Sequence, residues 1–419
     1  MKKVKTIGII LASLLLVFVI AACDSGGGSS DDFSGTELVV GIWGGNDAET
    51  AGMEQLKTDF EAKTGATLTY RLYTDYNTQL QADLIAGTAP DVFYVDVNFF
   101  PFLDSISVLE PLDRNDVNAS AFFDNLVNGF IGGSGDFYAV PKDFSTLALY
   151  VNTDMLSDVG LTTADVPGSW EDLVTWLPGF QEKLDEHYGA NSVQAMTFNI
   201  DLARNLHILT RGGATVVGSD SMPTINSPGV ISNFQIYMDL KHTNAVNRPQ
   251  DLGSGWNGEA FGTKRTAIMD EGNWVYGYLN SEFSDVNFEV LNMPTLQGQA
   301  SSMLFTVGYG LNKASNNKAL GLEWIKFATG TDGMATWCKA AGVLPSRQDV
   351  ADAIDVKASP SLETHLEQVQ YAVPWSMGLY GNIINDQYQN FVLDAINGNI
   401  SVEDAFKQVQ EQSELQIGN

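Results

Sequence analysis

The stretch Tyr138-Ala-Val-Pro-Lys-Asp-Phe-Ser-Thr-Leu-Ala-Leu-Tyr-Val-Asn-Thr-Asp-Met-Leu156 combines a buried strand with short polar side chains. Residues 147–151 form a compact apolar run, which predicts the strand. Asp143, Ser145 and Thr146 lie among apolar neighbours just before it, where polar groups need partners from the protein or from a ligand. We interpret this crossing stretch as the passage from one lobe to another, with a cleft beside it.

Length and composition indicate a large globular protein. The 419 residues are too many for one ordinary hydrophobic core, so we expect two domains. Hydrophobic residues make up 44% of the chain and aromatic residues 11%, which favours packed cores over disorder. The net charge of −29 argues against nucleic acid as a partner, because its phosphate backbone is also negative. The acidic residues are scattered, which indicates a solvated acidic surface, and adaptation to a saline habitat is one hypothesis for it.

The N-terminus carries an export pattern. Lysines precede an apolar run over residues 7–20, about 14 residues and too short for a membrane span. Small residues lead to Cys23, and a Gly-, Ser- and Asp-rich segment follows. This resembles a bacterial lipoprotein signal over residues 1–22, with lipid on Cys23 and a flexible tether over 23–36. We expect an extracytoplasmic protein that is lipid-anchored to the cell membrane through Cys23, in the periplasm or at the cell surface. The alternative is a plain secretory signal with an incidental cysteine.

The first hundred residues of the mature chain alternate strand and helix patterns. Apolar strands are predicted at 38–43, 67–73 and 91–96, and the helices between them end at Gly65 and Gly87. This order with short links predicts a parallel, right-handed unit. Ligands bind beyond the carboxyl ends of such strands. The aromatic and polar residues at those ends are Trp43, Tyr73, Thr74, Asp75, Tyr94 and Asp96.

Several catalytic classes lack their motifs. There is no G-x-G-x-x-G after the first strand and no G-x-x-x-x-G-K-[ST], which argues against a nucleotide site. There is also no G-x-S-x-G and no H-E-x-x-H, and the four histidines are scattered. We predict no enzyme activity, no catalytic residues, no metal and no cofactor. An exported carbohydrate-active hydrolase with a carboxylate pair remains the alternative. Peptide or metal binding would need a charged or His-rich cleft, and no such cluster is seen.

Tryptophans in the second half fall into two groups. Trp274 follows a predicted strand on a glycine-containing turn, and Trp256 lies between glycines, so we expect both to be presented to a cleft. Trp375 follows a proline outside any predicted helix. Trp324 and Trp337 lie in predicted helices and are interpreted as core residues.

A set of motifs then resembles a known family. In order along the chain they are Gly87-Thr-Ala-Pro-Asp-Val-Phe-Tyr-Val-Asp96, the crossing stretch, Phe261-Gly-Thr-Lys-Arg-Thr-Ala-Ile-Met-Asp-Glu-Gly-Asn-Trp274, Gly308-Tyr-Gly-Leu311 and Gly342-Val-Leu-Pro-Ser346. From about residue 37 onward the chain resembles the family 1 extracellular solute-binding proteins of sugar ABC transporters, the maltose-binding type. The resemblance implies a two-lobed α/β fold of the type II periplasmic-binding-protein-like class. Each lobe would be a mainly parallel sheet flanked by helices, with the ligand cleft at the hinge.

The resemblance also implies domain ranges and a function. It places 37–145 plus 288–342 in the N-terminal lobe and 146–287 plus 343–419 in the C-terminal lobe. It implies a monomeric receptor that binds a sugar or oligosaccharide and delivers it to the permease subunits of an ABC importer. The ligand-binding residues that we predict are Trp43, Tyr94, Asp96, Asp143, Ser145, Trp256, Trp274, Tyr309 and Trp375.

A sugar fits these residue types. Pyranose faces stack on aromatic rings, and hydroxyl groups bond to carboxylates and amides. By the resemblance, Tyr94 and Trp274 match stacking aromatics, while Asp143 and Ser145 lie where polar contacts are common. The loop after Trp43 lacks the charged residues of some maltose binders, so the sequence does not indicate maltose itself.

Overall fold

The computed structural model describes residues 33–45 and 47–418. The predicted signal segment, most of the tether and the predicted lipidation site Cys23 lie outside these ranges. No helix within the described ranges is both long and apolar enough to cross a bilayer.

Strands and helices alternate along much of the chain. The strands are β1 Glu37–Trp43, β2 Thr67–Tyr73, β3 Val92–Asp96, β4 Ala139–Asn152, β5 Gln194–Thr197, β6 Val246–Asn247, β7 Thr266–Gly272, β8 Phe288–Leu291, β9 Met303–Leu311 and β10 Val373–Pro374. The helices are α1 Asp47–Thr64, α2 Tyr76–Ala86, α3 Phe100–Ser105, α4 Asp124–Asn128, α5 Thr153–Asp158, α6 Trp170–Tyr188, α7 Leu202–Leu209, α8 Pro228–His242, α9 Asn257–Gly262, α10 Trp274–Glu282, α11 Lys318–Ala328, α12 Thr331–Ala341, α13 Gln348–Ala353, α14 Pro360–Gln368, α15 Gly381–Ile396 and α16 Val402–Ile417.

The first lobe contains the parallel unit predicted from its sequence pattern. β1 pairs in parallel with β2 on one side and with β3 on the other. β9 then runs antiparallel to β3, and the first half of β4 runs antiparallel to β9. The sheet is therefore mixed, because the strands that connect the lobes run against the parallel unit.

The long strand β4 belongs to both lobes. All of its residues are buried. Residues 139–146 pair with β9, whereas residues 147–152 pair with β7 and β8. The predicted strand was shorter, since Asp143 and Ser145 break the apolar pattern at the sequence level. In the fold these polar residues lie within the β9 ladder.

The second lobe repeats the mixed arrangement. β7 pairs in parallel with β5, and β5 pairs in parallel with β6. β7 and β8 both run antiparallel to the second half of β4. Each sheet thus has parallel strands whose carboxyl ends can border a cleft, and β4 connects the two.

Each lobe has a large hydrophobic core. One core contains Leu38, Phe60 and Trp324, and the other contains Leu147, Trp170 and Phe234. The domain ranges stay a prediction. β8, which they assign to the first lobe, lies beside the second half of β4, and Val343, which they assign to the second lobe, packs in the first core.

Candidate ligand-binding site

Side chains from three neighbouring strands lie on one face of the first sheet. Residues directly opposite each other in a ladder point to the same face, and alternate residues of one strand share a face. Residues 305, 307 and 309 of β9 therefore form a row, and the residues opposite them join it. The register pairs are Tyr94 with Tyr309, Asp96 with Val307, Asp143 with Val307, and Ser145 with Phe305. This site face collects five of the predicted ligand-binding residues, Tyr94, Asp96, Asp143, Ser145 and Tyr309.

A β-bulge adds Lys142 to the site face. The register of β4 against β9 shifts between Pro141 and Asp143. A bulge sets two consecutive residues opposite one partner residue, which re-aims a side chain. The Lys142 ammonium accordingly bonds the Asp143 carboxylate and lies 5.0 Å from the centroid of the Tyr94 ring.

Trp337 of α12 completes this charged group. The Lys142 ammonium lies 4.2 Å from the Trp337 ring centroid, and the Trp337 indole N–H donates to Asp143 Oδ2 at 2.7 Å. The side chains of Lys142 and Asp143 are only 7% and 11% exposed. Neither Lys142 nor Trp337 was predicted as a site residue, because helical spacing marks Trp337 as core and the bulge that turns Lys142 depends on a distant strand.

A cavity of about 220 Å³ opens beside this group. It lies at the carboxyl end of β1, where a ligand was predicted. Trp43 packs edge-on against Tyr94, with ring centroids 4.8 Å apart, and against Tyr76 at 5.0 Å. The residues that line this first-lobe cavity are Ile42, Trp43, Gly44, Gly45, Glu49, Thr50, Met53, Glu54, Tyr70, Leu72, Tyr94, Lys142 and Trp337.

Asp96 is the second carboxylate of the site face, beside Asp143. Burial raises its pKa to about 6, although the backbone N–H groups of Asn98 and Phe99 oppose the shift. Asn98 N–H donates to Asp96 Oδ1 at 2.8 Å. The Asn98 side chain in turn bonds Asn382 at 3.1 Å and accepts from the Met377 N–H at 3.2 Å. The end of β3 is thereby tied to the segment that follows Trp375.

Three aromatic rings meet next to Ser145. Phe305 projects from the site face, and its ring centroid is 5.3 Å from that of Trp274 at an interplanar angle of 80°. The Trp375 ring is 6.5 Å from Phe305, and its backbone N–H donates to the Leu304 carbonyl oxygen at 2.8 Å. Trp274 comes from the second lobe, so this group joins the lobes. The structure thus brings Trp274 and Trp375 together, as well as Trp43 and Tyr94.

Trp274 rests on a glycine and beside a buried ion pair. A Cβ on Gly272 would lie 2.1 Å from the Trp274 ring, so a side chain there would displace the ring. The Arg204 guanidinium lies 5.6 Å from the ring centroid and bonds Glu271 at 2.6 Å. Burial raises the pKa of Glu271, while Arg204 opposes that shift.

Two predicted residues pack against other aromatic rings, Tyr309 within the site face and Trp256 outside it. Tyr309 is only 1% exposed and packs between Tyr94 and Trp324, at centroid distances of 5.3 and 5.8 Å. Trp256 packs against Tyr278 at 4.9 Å and covers Gly258. It belongs to a small cluster around β7 and α10, because α9 begins directly after it and folds its ring back.

A second cavity lies at the carboxyl ends of β5 and β6 in the second lobe. Its volume is about 230 Å³, and most of its lining is polar. Asp201 lies 3.6 Å from Arg204 and so connects this cavity to the support of Trp274. This cavity was not predicted from the sequence, although five of its lining residues follow β5 or β6. The residues that line this second-lobe cavity are Asn199, Ile200, Asp201, Arg248, Gln250, Gln389 and Leu393.

Comparisons with known proteins bear on the family and on the fold. The family description that matches, bacterial extracellular solute-binding protein, covers residues 55–364. An ABC substrate-binding protein from Listeria monocytogenes in complex with cycloalternan is 19% identical, with a TM-score of 0.78 over 91% of this chain and 99% of that one. A solute-binding protein from Thermotoga lettingae bound with α-D-tagatose is 20% identical, with a TM-score of 0.77 over 90% and 98%.

A third solved structure is similar. The GacH receptor of Streptomyces glaucescens, solved unliganded and with acarbose, is 20% identical, with a TM-score of 0.75 over 90% of this chain and 97% of that one. At these identities the likeness shows the fold. The predicted two-lobed α/β fold is confirmed.

Proposed function

Because the chain belongs to the bacterial extracellular solute-binding proteins, we propose that it is the substrate-binding protein of a carbohydrate ABC importer. It binds a sugar or oligosaccharide between its lobes as a monomer and delivers it to a membrane permease. The three structural neighbours were solved with carbohydrate ligands, which supports this ligand class.

The observation that carries the proposal is the meeting of Phe305, Trp274 and Trp375 beside the polar site face. Flat aromatic rings offer surfaces for the apolar faces of sugar rings. Ser145 is opposite Phe305 in the ladder, and Asp96 is opposite the next residue of that row. Stacking surfaces with hydrogen-bonding groups at their edge are the combination that a polyhydroxylated ring requires.

The arrangement also provides a means of closure. A ligand that contacts Trp274 from one lobe and the site face from the other binds the closed form more tightly than the open form. It therefore shifts the equilibrium toward closure by that difference in affinity. The strand β4 pairs in both sheets and is a connection about which the lobes would rotate.

Membrane anchoring is part of the proposal. The support comes from the sequence pattern that ends at Cys23. Cys23→Ser in the full-length precursor is expected to release the protein from the membrane fraction and abolish labelling by a radioactive fatty acid. Continued labelling of this variant would contradict lipidation at Cys23.

A thermal-shift screen against neutral mono- and oligosaccharides tests the function. We expect one carbohydrate class to stabilise the wild type. Trp274→Ala and Trp43→Ala should weaken that shift, because each removes a ring from the proposed site. Trp256→Ala is the matched control, since it removes a packed tryptophan away from the site face. A panel without any stabilising sugar would contradict the proposal.

One observation favours the hydrolase alternative. Asp96 and Asp143 flank Val307 on the same face, so their backbones are two strand spacings apart, roughly 10 Å. However, the Asp143 carboxylate is held by Lys142 and Trp337, which leaves it poorly placed to attack a sugar. Incubation with labelled oligosaccharides separates the two functions, because a receptor returns them intact. Cleavage that Asp96→Asn abolishes would establish the hydrolase.

A further inference from the structure

Lys142 is the cation of the first-lobe cavity. Of the described residues that line this cavity, Lys142 alone is basic, while Glu49 and Glu54 are acidic. Lys142 is nevertheless buried, at 6% exposure. A buried ammonium group needs both a counter-charge and hydrogen-bond partners. The groups around Lys142 therefore determine which hydrogen bonds it can form with a ligand.

The positive charge of Lys142 is already balanced. Asp143 supplies a bonded carboxylate, and the rings of Trp337 and Tyr94 lie 4.2 and 5.0 Å from the ammonium. Aromatic faces attract cations, and they do so more strongly away from water. An ammonium has three N–H donors, of which Asp143 takes one. Lys142 can therefore present donors to the cavity without presenting net charge.

Trp337 fixes the carboxylate of this pair. Its indole N–H donates to Oδ2 of Asp143, the oxygen that Lys142 also bonds. The ammonium donors that Asp143 does not take can bond the hydroxyl oxygens of a sugar in the first-lobe cavity, which Lys142 lines.

We propose that Lys142, held by Asp143, recognises hydroxyls of an uncharged sugar and that the first-lobe cavity discriminates against uronic acids. Trp337 acts as the positioning residue for Asp143. The inference rests on the proposed function, because it names the class of carbohydrate that the same site binds.

The exclusion of acidic sugars follows from competition. A ligand carboxylate would compete with Asp143 for Lys142 and bring two like charges together in a buried place, which is unfavourable. Glu49 and Glu54 add to the negative lining, and the whole chain carries a net charge of −29. A hydroxyl-bearing ligand avoids these costs because it keeps the Lys142–Asp143 pair intact.

The test measures the charge preference of the wild type by calorimetry. The probes are matched pairs: galactose with galacturonic acid, glucose with glucuronic acid, and galactobiose with digalacturonic acid. We expect any neutral sugar that binds to be at least about 10-fold tighter than its acidic counterpart. Equal or tighter binding of the acid overturns this inference and leaves the proposed function standing. Binding of no carbohydrate at all overturns both.

Variants then assign the effect to the pair. Lys142→Met is expected to weaken neutral sugars about 10-fold and Trp337→Phe about 3-fold, since the latter keeps a ring but loses the N–H. Lys264→Met, which removes a lysine from the exposed pair with Asp285, is the matched control and should leave affinity unchanged. A deoxy analogue of the bound sugar provides the decisive readout. Removing one of the recognised hydroxyls should weaken binding to the wild type and have little effect on Lys142→Met. An equal loss in both proteins would contradict recognition by Lys142.

Discussion

The two halves of the site differ in the number of groups that hold the buried carboxylate of each half. In the first lobe, Asp143 receives two donors, the Lys142 ammonium and the Trp337 indole N–H. In the second lobe, Glu271 depends on Arg204 at 2.6 Å, with only a long 3.4 Å contact from a backbone N–H besides. Arg204 also neighbours Asp201 and Asp270. One guanidinium therefore holds Glu271 in the second half, whereas two groups, Lys142 and Trp337, hold Asp143 in the first.

Buried side-chain atoms without a hydrogen-bond partner occur in the ion pair of the second half but not in that of the first. Among the buried side-chain atoms of the described residues, Arg204 Nε, Glu271 Oε2 and Asn273 Nδ2 have no hydrogen-bond partner within the protein. No atom of Lys142, Asp143 or the Trp337 indole is in this group. Burial also raises the pKa of Asp270 well above its usual value, with Glu271 as a further cause. The second half is therefore the more sensitive to loss of its cation.

The largest expected effect comes from Arg204→Met. It leaves Glu271 buried without its counter-charge, which costs about 3–5 kcal/mol of unfolding free energy. Lys142→Met should cost less, about 2 kcal/mol, because Trp337 still donates to Asp143. Urea unfolding monitored by tryptophan fluorescence measures both values. Arg248→Met, which breaks the partly exposed pair with Asp251, is the control and should cost less than about 1 kcal/mol. Equal costs for Arg204→Met and Lys142→Met would contradict this difference between the two halves of the site.

The next effect concerns the tryptophan in each half. Gly272→Ala would place a Cβ 2.1 Å from the Trp274 ring, whereas a Cβ on Gly44, next to Trp43, would meet nothing within 4 Å. We expect Gly272→Ala to cost about 1–3 kcal/mol of stability and to weaken sugar binding by moving Trp274. Gly44→Ala is the matched control and should leave stability within about 0.5 kcal/mol of the wild type. Thermal unfolding and calorimetric titration check both variants. A Gly272→Ala protein with normal sugar affinity would contradict a role for the Trp274 position.

A smaller effect separates Asp96 from the paired Asp143. Burial raises the pKa of Asp96 from 3.8 to about 6, so the folded protein favours its protonated form. Its contribution to stability is greatest below the unfolded value and is lost as pH rises through about 6. Asp96→Asn should therefore match the wild type at pH 4 and exceed it by about 1–2 kcal/mol at pH 7.5. Urea unfolding at intervals between these pH values measures the difference. A difference that stays constant with pH would argue against this titration.

Local patterns in the sequence predicted the first lobe well. The order from β1 to β3, with helices ending at Gly65 and Gly87, follows from apolar periodicity and from glycines that adopt positive φ at helix ends. Trp274 and Trp375 were singled out because no helix preceded them to bury their rings. Information within a few residues was sufficient to predict these strands and helices, whereas the ligand-binding roles of Trp274 and Trp375 stay predictions.

Features that depend on distant pairing could not be predicted from the sequence. Lys142 turns to the site face only because β4 is bulged against β9, more than 160 residues away. Trp337 has the spacing of a core residue, and it does pack in the core while its N–H reaches Asp143. Trp256 packs outside the site face, because its own helix α9 folds the ring onto Gly258, and its ligand-binding role stays a prediction. For Lys142 and Trp337 the distant partner, not the local pattern, determines the role.

The smallest expected effect lies at the crossing between the halves. Where β4 changes partners, side chains bond its backbone: the Leu147 carbonyl accepts from Ser302 Oγ at 2.8 Å and from Gln368 Nε2 at 2.9 Å. Gln368→Met removes one of these bonds and also the bond that Oε1 accepts from the Met293 N–H at 3.1 Å, so it should cost about 1–1.5 kcal/mol, more than Gln235→Met on an exposed helix face.

Gln368→Met alters no residue of either half of the site, unlike the other variants described above apart from their controls. A shift in the open–closed equilibrium multiplies the apparent affinity for every sugar by one common factor. Gln368→Met should therefore preserve the ratio of affinities between any two sugars, while Lys142→Met should alter the ratio between a sugar and its deoxy analogue. Calorimetry with the same two ligands on both variants makes the distinction. If Gln368→Met changed the ratio, the crossing would take part in recognition, and the division of the site into two separately supported halves would fail.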